Sequence, residues 1–337
     1  MKNLILLDPS LADSQGVPSR NLGDVIIHQA IARELSAIFG EKAFARLSTH
    51  LPFSAADYAD ANRCAFRFVG GANLLSSKNM RYTWYREEHR FNWLFPKLSP
   101  VSLLGVGWGV GYPTWSHWWP KCFYRRNLDR RHLHSVRDSF TEGMLRGIGI
   151  PNVLNTSCPT LWGLEGFDSS APEAPSRCVF TLTDYRRVPE RDNLIVETLH
   201  RLFPGTLHFF PQGAKDIEYL ESLPAFARCR ECIQILARDV ASLGAFFDQH
   251  ARELVCIGTR LHGGIFAMQH GVKALILAVD HRASEIAKDT SLPILETDIA
   301  AGIKRWLAGK LRFEPLHLPL ENIRRWRDDW RSAALKN

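Results

Sequence analysis

The stretch "GTRLHGGIFAMQHGVKALIL", residues 258–277, decides the fold. It follows an apolar run, residues 254–257, of the kind that forms a short buried parallel strand. Gly263 and Gly264 open an apolar segment that stops at Gly271, which predicts a helix. A second apolar run, residues 274–279, predicts the next strand. The stretch is therefore half of a unit in which parallel strands alternate with helices.

Arg260 and His262 lie where the first of these strands turns into the helix. Ligands of open α/β sheets bind at the carboxyl ends of strands, and a helix amino terminus attracts anions. Residues two apart on an extended backbone share a face, so we expect both side chains to point into one cleft. In the alternative interpretation, Arg260 pairs with a nearby carboxylate and His262 caps a loop.

The composition indicates a globular protein with more than one domain. A chain of 337 residues exceeds the size at which a single core stops growing. Its 45% apolar and 23% charged residues are ordinary for a globular protein, and no stretch approaches the roughly 20 apolar residues that cross a bilayer. The short apolar run before Asp8 predicts a first strand rather than a signal peptide. We therefore expect a cytoplasmic protein.

The net charge of +7 favours an acidic partner, namely nucleic acid, anionic lipid or a phosphorylated substrate. The seven cysteines are expected to be reduced thiols. Cys229 and Cys232 form a lone C-x-x-C pair. Because no second pair and no histidine cluster accompany it, we expect no metal.

Strand and helix patterns alternate along the chain and are interrupted once, in "GLEGFDSSAPEAPSRC", residues 163–178. The alternation predicts an α/β protein. We assign an amino-terminal domain to residues 1–165 and a second domain to 175–312. A terminal helix within residues 313–337 is expected to pack back on the first domain.

Polar residues follow predicted strands in the first half as well. Asn21, Gly23 and Asp24 form an N-x-G-D sequence at the mouth of the first helix, with Asp24 as its predicted N-cap. Gly70 and Gly71 follow a strand, where glycine lets the backbone approach a ligand or another loop. In the plainer alternative, Asp24 only caps its helix and the two glycines only form a tight turn.

Arg137 stands at a strand end in the first half, as Arg260 does in the second. Two such arginines would face each other across an interdomain cleft. Guanidinium groups bind carboxylate and phosphate bidentately, so this arrangement suits a small anion that carries both. A surface ion pair between Arg137 and Asp138 is the alternative.

The segments "NLGDVIIHQAI", "FVGGANLL", "SVRDSFT" and "GTRLHGGIFAMQHGVKALIL…DHRASEIA" together resemble the polysaccharide pyruvyl transferase family over residues 21 to about 290. The resemblance implies two Rossmann-like domains in a GT-B-like arrangement with an interdomain cleft. It also implies transfer of pyruvate from phosphoenolpyruvate to a sugar of a polysaccharide or its lipid-linked precursor, as a ketal. The chain departs from the family at Ala72, where a third glycine is common, and at Cys158, where an Asp-Pro pair is common.

The resemblance also implies roles for particular residues. Arg137 and Arg260 would hold phosphoenolpyruvate, with backbone N–H groups from the helix near Gly263. His262 would be the general acid, and Asp24 either a base for the sugar hydroxyl or a residue that shapes the acceptor loop. The remaining expected substrate contacts are Asn21, Gly23, Gly70 and Gly71. Phosphoenolpyruvate is the donor substrate, and no cofactor is expected.

Two other functions fit the same patterns. One is a nucleotide-sugar-dependent glycosyltransferase of GT-B-like fold, since fold alone does not choose the donor. The other is a non-catalytic basic protein that uses the tryptophan- and arginine-rich segments 115–131, 303–313 and 323–333 against a membrane surface or nucleic acid. In the plainer alternative these segments form solvated amphipathic helices. We expect no nucleic-acid partner, but a peripheral contact with the inner face of a membrane.

Overall fold

The computed structural model describes residues 4–11, 20–40, 44–78, 83–84, 97–110, 118–205 and 207–336. The chain divides into two compact units. The first contains Met1–Ser19, Ile27–Pro159 and Pro319–Asn337, and the second contains Arg20–Ile26 and Thr160–Leu318. The start of the first long helix therefore belongs to the second unit.

The first unit alternates strands and helices. In chain order these are β1 (Leu4–Asp8), α1 (Leu22–Phe39), β2 (Ala45–Ser48), α2 (Ala55–Arg63), β3 (Phe66–Gly70), β4 (Leu75–Ser76), β5 (Ser102–Leu104), β6 (Trp108–Val110), α3 (Trp118–Asn127), β7 (His134–Val136), α4 (Ser139–Gly147) and β8 (Val153–Asn155).

The sheet of the first unit is parallel and has the order β2-β1-β3-β5. A parallel bridge between Val106 and Val136 continues it to the parallel pair β7-β8, and β4 pairs with β6 beside it. The central strand β1 is buried along its whole length, as strands covered by helices on both faces are. The direction of strand addition reverses between β1 and β3.

β3 ends at Gly70, and Gly71 follows it. Both glycines lie under helix α1. A side chain on Gly71, which has φ +60°, would overlap the side chain of Ile27. A Cβ on Gly70 would lie 2.8 Å from Leu6 Cδ1. Close packing of α1 on this turn therefore accounts for both glycines, as in the tight-turn alternative, and their contact with a substrate stays a prediction.

The second unit repeats the alternation. Its elements are β9 (Arg177–Thr181), α5 (Pro189–Leu202), β10 (Leu207–Phe209), α6 (Asp216–Glu221), α7 (Pro224–Cys229), β11 (Ile233–Ile235), α8 (Val240–His250), β12 (Leu254–Gly258), α9 (Leu261–Gln269), β13 (Lys273–Leu277), α10 (His281–Thr290), β14 (Ile294–Leu295) and α11 (Ile299–Leu307).

All six strands of the second unit are parallel, in the order β11-β10-β9-β12-β13-β14. Strands are added outward from β9 on one side and from β12 on the other. This is the Rossmann order, and it confirms the predicted α/β class with parallel sheets. The quoted stretch forms the end of β12, helix α9 and strand β13.

The last helix, α12 (Leu320–Leu335), belongs to the first unit. Trp326 and Trp330 are fully buried, and Trp330 packs on Phe66 and Phe68. Trp306 in α11 is also buried and donates to Ser169 O at 3.0 Å. The alternative in which these two carboxyl-terminal segments present tryptophan at a surface is therefore wrong. At i, i+4 spacing the two tryptophans of α12 share its inner face, while Arg324, Arg325 and Arg331 on the same helix are exposed.

Within the described ranges, no helix is long and apolar enough to span a membrane. The same residues contain no group of three or more His, Cys, Asp or Glu side chains able to hold a metal ion. All seven cysteines are described, and the structure holds them as thiols.

His134, the first residue of β7, has a fully buried imidazole that faces β5. Its Nδ1 accepts a hydrogen bond from Leu103 N at 3.1 Å, and its Nε2 lies 2.7 Å from Asp129 O. A carbonyl only accepts, so Nε2 carries the proton and the ring is neutral. Burial lowers the pKa of His134 from 6.5 to about 4.

We predict that His134 makes the first unit acid-sensitive. The unfolded imidazole takes up a proton near pH 6.5 and the folded one only near pH 4, so stability is fully present above 6.5 and falls as the pH is lowered towards 4. The slope for one group is about 1.4 kcal/mol per pH unit. Urea unfolding near pH 7.5 and near pH 5 measures it.

The matched variant is His134→Asn, which cannot be protonated in this range. Its stability deficit relative to wild type should be smaller near pH 5 than near pH 7.5, by about 2 kcal/mol. An equal deficit at both pH values would show that His134 does not cause the acid sensitivity.

Candidate functional site

The strand order of the second unit reverses between β9 and β12, and ligands of such sheets bind outside this reversal. The two strand ends touch, because Thr259 N donates to Thr181 O at 3.0 Å. A Cβ on Gly258 would overlap Thr181, so glycine is required for this approach. The loops after β9 and β12 therefore form the candidate site of this unit.

Arg260 lies directly before α9, and only 2% of it is exposed. Its Nε donates to Leu182 O and to Asp216 Oδ2, both at 3.1 Å. Its Nη2 donates to Asp184 Oδ1 at 2.8 Å and to Asp216 Oδ1. Arg260 thus pairs with nearby carboxylates, as the alternative interpretation of the sequence predicts. Its Nη1 is buried and makes no hydrogen bond with the residues that the structure describes.

Asp216 is the buried partner of Arg260 and begins α6. Its carboxylate also accepts from Gly213 N at 2.6 Å and from Asp184 N at 3.2 Å. Burial raises the pKa of Asp216, and the guanidinium of Arg260 opposes this rise. A side chain on Gly213 would overlap the Arg260 guanidinium, so this glycine too makes room for the pair.

His262 is the second residue of α9, and 6% of it is exposed. The helix begins at Leu261, two residues before the predicted start at Gly263, so the argument from an extended backbone does not apply to Arg260 and His262. Instead, His262 and Gly263 lie in the first turn, where backbone N–H groups have no partner within the helix. Gly264 lets α9 approach β13, because its Cβ would be 2.8 Å from Ile276 Cγ1.

The N-x-G-D residues Asn21, Gly23 and Asp24 belong to the second unit. Asn21 Oδ1 accepts from Gly23 N at 3.1 Å, and α1 begins at Leu22. The capping side chain is therefore Asn21, and the prediction that Asp24 is the N-cap is wrong. Asp24 lies in the first turn, partly exposed, with its Oδ1 at 3.5 Å from Asn21 Nδ2.

Gln212, in the loop after β10, joins this sequence to the strand ends. Its backbone O accepts from Leu22 N at 2.9 Å, and its Nε2 donates to Asn21 Oδ1 at 3.0 Å. Only 3% of Gln212 is exposed, and its Oε1 is buried and accepts no hydrogen bond from the described residues. Gln212, Asp184 and Asp216 were not predicted as site residues, although each lies in or just after a loop that follows a strand.

Arg137 lies in the first unit, after β7, and 2% of it is exposed. Its Nε donates to Asp138 Oδ2 at 3.2 Å and its Nη2 donates to Asn73 Oδ1. Asp138 in turn caps α4 by accepting from Thr141 N at 2.7 Å. The pairing with Asp138 expected in the alternative is present, but it is buried rather than on the surface.

Asp8, at the end of β1, is a third carboxylate that was not predicted as a site residue. It is buried and accepts from Ser10 N and from Arg46 Nε, each at 2.8 Å, with His28 Nδ1 at 2.6 Å. Burial raises the pKa of Asp8, but His28 and Arg46 outweigh burial and hold it below its usual value. The strand reversal of the first unit thus carries an ionised carboxylate.

Two solved structures with a similar fold contain UDP or UDP-GlcNAc. The UDP-GlcNAc 2-epimerase of Methanocaldococcus jannaschii, in complex with UDP-GlcNAc and UDP, aligns with a TM-score of 0.53 at 10% identity, over 100% of this chain and 99% of its own. MnaA of S. aureus with UDP aligns with a TM-score of 0.50 at 11% identity, over 96% and 95%. At this identity the similarity shows the fold, two Rossmann-like domains of GT-B type.

No curated protein matches the sequence. The profile of the polysaccharide pyruvyl transferase family matches residues 21–281, a range that includes the N-x-G-D residues, Arg137, Arg260 and His262. The chain therefore belongs to the polysaccharide pyruvyl transferase family and is a pyruvyl transferase.

Proposed function

We propose that the enzyme transfers pyruvate from phosphoenolpyruvate to two hydroxyls of one sugar, in a polysaccharide or its lipid-linked precursor, and releases phosphate. The observation that carries the proposal is the position of Arg260. This buried guanidinium lies at the strand reversal and at the amino end of α9, with the N–H groups of Nη1 unused by the described residues. An unused charged donor of this kind calls for an anionic acceptor.

The donor site that we propose uses Arg260 Nη1 and the first-turn N–H groups of α9, including that of Gly263, for phosphate or carboxylate. In the first unit, Arg137 is held by Asp138 and Asn73 and supplies a second fixed guanidinium. The convergence of both arginines on one phosphoenolpyruvate stays a prediction, as do substrate contacts of Gly70 and Gly71.

Ketal formation moves one proton to carbon and two from oxygen. The methylene carbon of phosphoenolpyruvate takes a proton and becomes a methyl group, and a sugar hydroxyl attacks the adjacent cationic carbon and loses its proton. The C–O bond to phosphate then breaks, and a second hydroxyl closes the ketal and loses its proton. We assign the first proton to His262, since histidine is the usual general acid near neutral pH.

We place the acceptor near the N-x-G-D residues, Asn21, Gly23 and Asp24. Asp24 is partly exposed and lies one turn from the capping Asn21, a position that suits a base for the sugar hydroxyl. This assignment rests on the resemblance to the family and its acceptor chemistry.

The proposed contact with the inner face of a membrane, where a lipid-linked acceptor would lie, is supported by α3. Trp118 at its start is 62% exposed, and Lys121, Arg125 and Arg126 on the same helix are exposed. Exposed tryptophan beside basic residues is typical of helices that lie on anionic lipid.

The direct test is to incubate the protein with phosphoenolpyruvate and candidate glycans and to look by mass spectrometry for the added pyruvyl group, together with released phosphate. Pyruvyl addition that depends on phosphoenolpyruvate supports the proposal. The absence of both products with every glycan would contradict it.

His262→Ala should lower kcat by roughly 100- to 10,000-fold, the usual contribution of a general acid, with an unchanged melting temperature. The matched control is His270→Ala, at the other end of the same helix, where the imidazole pairs with Asp248 at 2.6 Å. The control should keep its turnover. Wild-type turnover in His262→Ala would remove His262 from the mechanism.

Arg260→Gln should destabilise the second unit by about 3–5 kcal/mol, because it leaves the buried Asp216 carboxylate without its counter-charge. Adding Asp216→Asn should recover part of this loss, since no charge then remains unpaired at this position. Neither variant should be stabilised by phosphoenolpyruvate. Urea unfolding of both single variants and of the double variant tests the pair. If the stability losses of Arg260→Gln and Asp216→Asn simply add in the double variant, the two residues do not act as a pair.

The change in melting temperature on adding a ligand tests which donor substrate the protein binds. Phosphoenolpyruvate at a hundredfold excess over its Kd should stabilise the wild-type protein by about 2.7 kcal/mol. UDP-GlcNAc, which the fold-related epimerase binds, serves as the comparison ligand. Stabilisation by UDP-GlcNAc and not by phosphoenolpyruvate would favour the glycosyltransferase alternative.

A further inference from the structure

The site in the second unit contains two buried polar atoms of opposite kind. Arg260 Nη1 is a donor, Gln212 Oε1 is an acceptor, and neither has a hydrogen-bond partner among the described residues. Both side chains are at least nine-tenths buried, at 2% and 3% exposed. Leaving such a buried polar group without a partner is unfavourable, so each atom is expected to meet a ligand group.

The orientation of the Gln212 amide is fixed by its neighbours. Gly23 N is a backbone donor, so the Asn21 atom that it meets at 3.1 Å must be Oδ1. That oxygen can only accept, so the Gln212 atom at 3.0 Å from it must be the donor Nε2. The opposite atom, Oε1, is therefore the acceptor that points away from Asn21.

Oε1 points towards the first turn of α9. A Cβ built on Gly263 would lie 2.9 Å from Gln212 Oε1 and 3.6 Å from Arg260 Cβ. The two atoms without partners therefore belong to side chains that flank the same glycine, at the end of the helix where the donor site is proposed.

The two atoms need different ligand groups, because Arg260 Nη1 needs an acceptor and Gln212 Oε1 needs a donor. Ionised phosphoenolpyruvate offers acceptor oxygens, which suit Arg260 Nη1 and not Gln212 Oε1. The sugar offers hydroxyl donors. We propose that Gln212 Oε1 accepts a hydrogen bond from a hydroxyl of the acceptor sugar, which makes Gln212 a binding residue for the acceptor beside the donor site. This inference rests on the proposed function for the identity of the two ligands.

The test measures sugar binding rather than transfer. Saturation-transfer NMR with methyl glycosides of glucose, galactose and mannose is carried out on wild type and on Gln212→Met, which has similar length and no Oε1. The sugar that binds wild type should bind the variant roughly three- to tenfold more weakly, the value of one neutral hydrogen bond. Gln234→Met, on the exposed part of β11, is the matched control and should bind as wild type does.

Gly263→Ala gives an independent test if Gln212→Met folds poorly. Gly263 has an ordinary helical backbone, which alanine adopts readily, and the new methyl group would lie 2.9 Å from Gln212 Oε1, so close that Oε1 has to shift. It keeps the backbone N–H and every hydrogen-bonding side chain. Sugar binding should weaken, while the thermal shift with phosphoenolpyruvate should persist in Gln212→Met.

The outcomes separate this inference from the proposed function. Equal sugar binding by wild type, Gln212→Met and Gly263→Ala overturns the Gln212 assignment even if pyruvyl transfer is observed, and so does the absence of binding to wild type by every glycoside. Weaker sugar binding in both variants upholds Gln212 even if phosphoenolpyruvate proves not to be the donor.

Discussion

A guanidinium removed from water needs a carboxylate, and the ion pair of Arg260 with Asp216 meets that need at the centre of the second unit. Burying the pair removes both charged groups from water, which is unfavourable. Well-directed hydrogen bonds must offset this desolvation penalty. Here Arg260 links the end of β9, the start of α6 and the start of α9. Three loops that differ widely in sequence position are thereby held in one arrangement.

The glycines of this site follow from the same constraint. Gly213 lacks a side chain because the guanidinium occupies that space, and Gly258 lacks one because the ends of β9 and β12 touch there. Their role is to let polar groups and backbone approach closely, rather than to make the loops mobile. Polar networks of this kind hold a shape only when nearly every member is satisfied. The few unsatisfied atoms are consequently the informative ones.

The parallel α/β class and the unit from β12 to β13 could be predicted from the sequence because they depend on local patterns, namely apolar runs and glycine stops. The partner of Arg260 could not, because Asp216 is 44 residues away and the pairing depends on strand order. The cap of α1 was misassigned because Asn21 and Asp24 are both good capping residues three positions apart. The burial of the tryptophans in α12 could not be predicted from composition alone, which is compatible with a surface contact as well as with an amphipathic helix.

The charged groups around Arg260 determine how the proposed donor site would attract an anion. Asp216 and Asp184 contact it, and Arg238, which donates to Arg20 O at 2.5 Å, adds a second guanidinium in this region. Two cations and two carboxylates balance, so this part of the site does not attract an anion by net charge. In the proposed donor site, attraction would instead come from N–H groups that point at the ligand, and such directed donors are worth more in a site closed to water. The ion pair is then the means of aiming Nη1, and the loss of Asp216 would misdirect a charge that is still present.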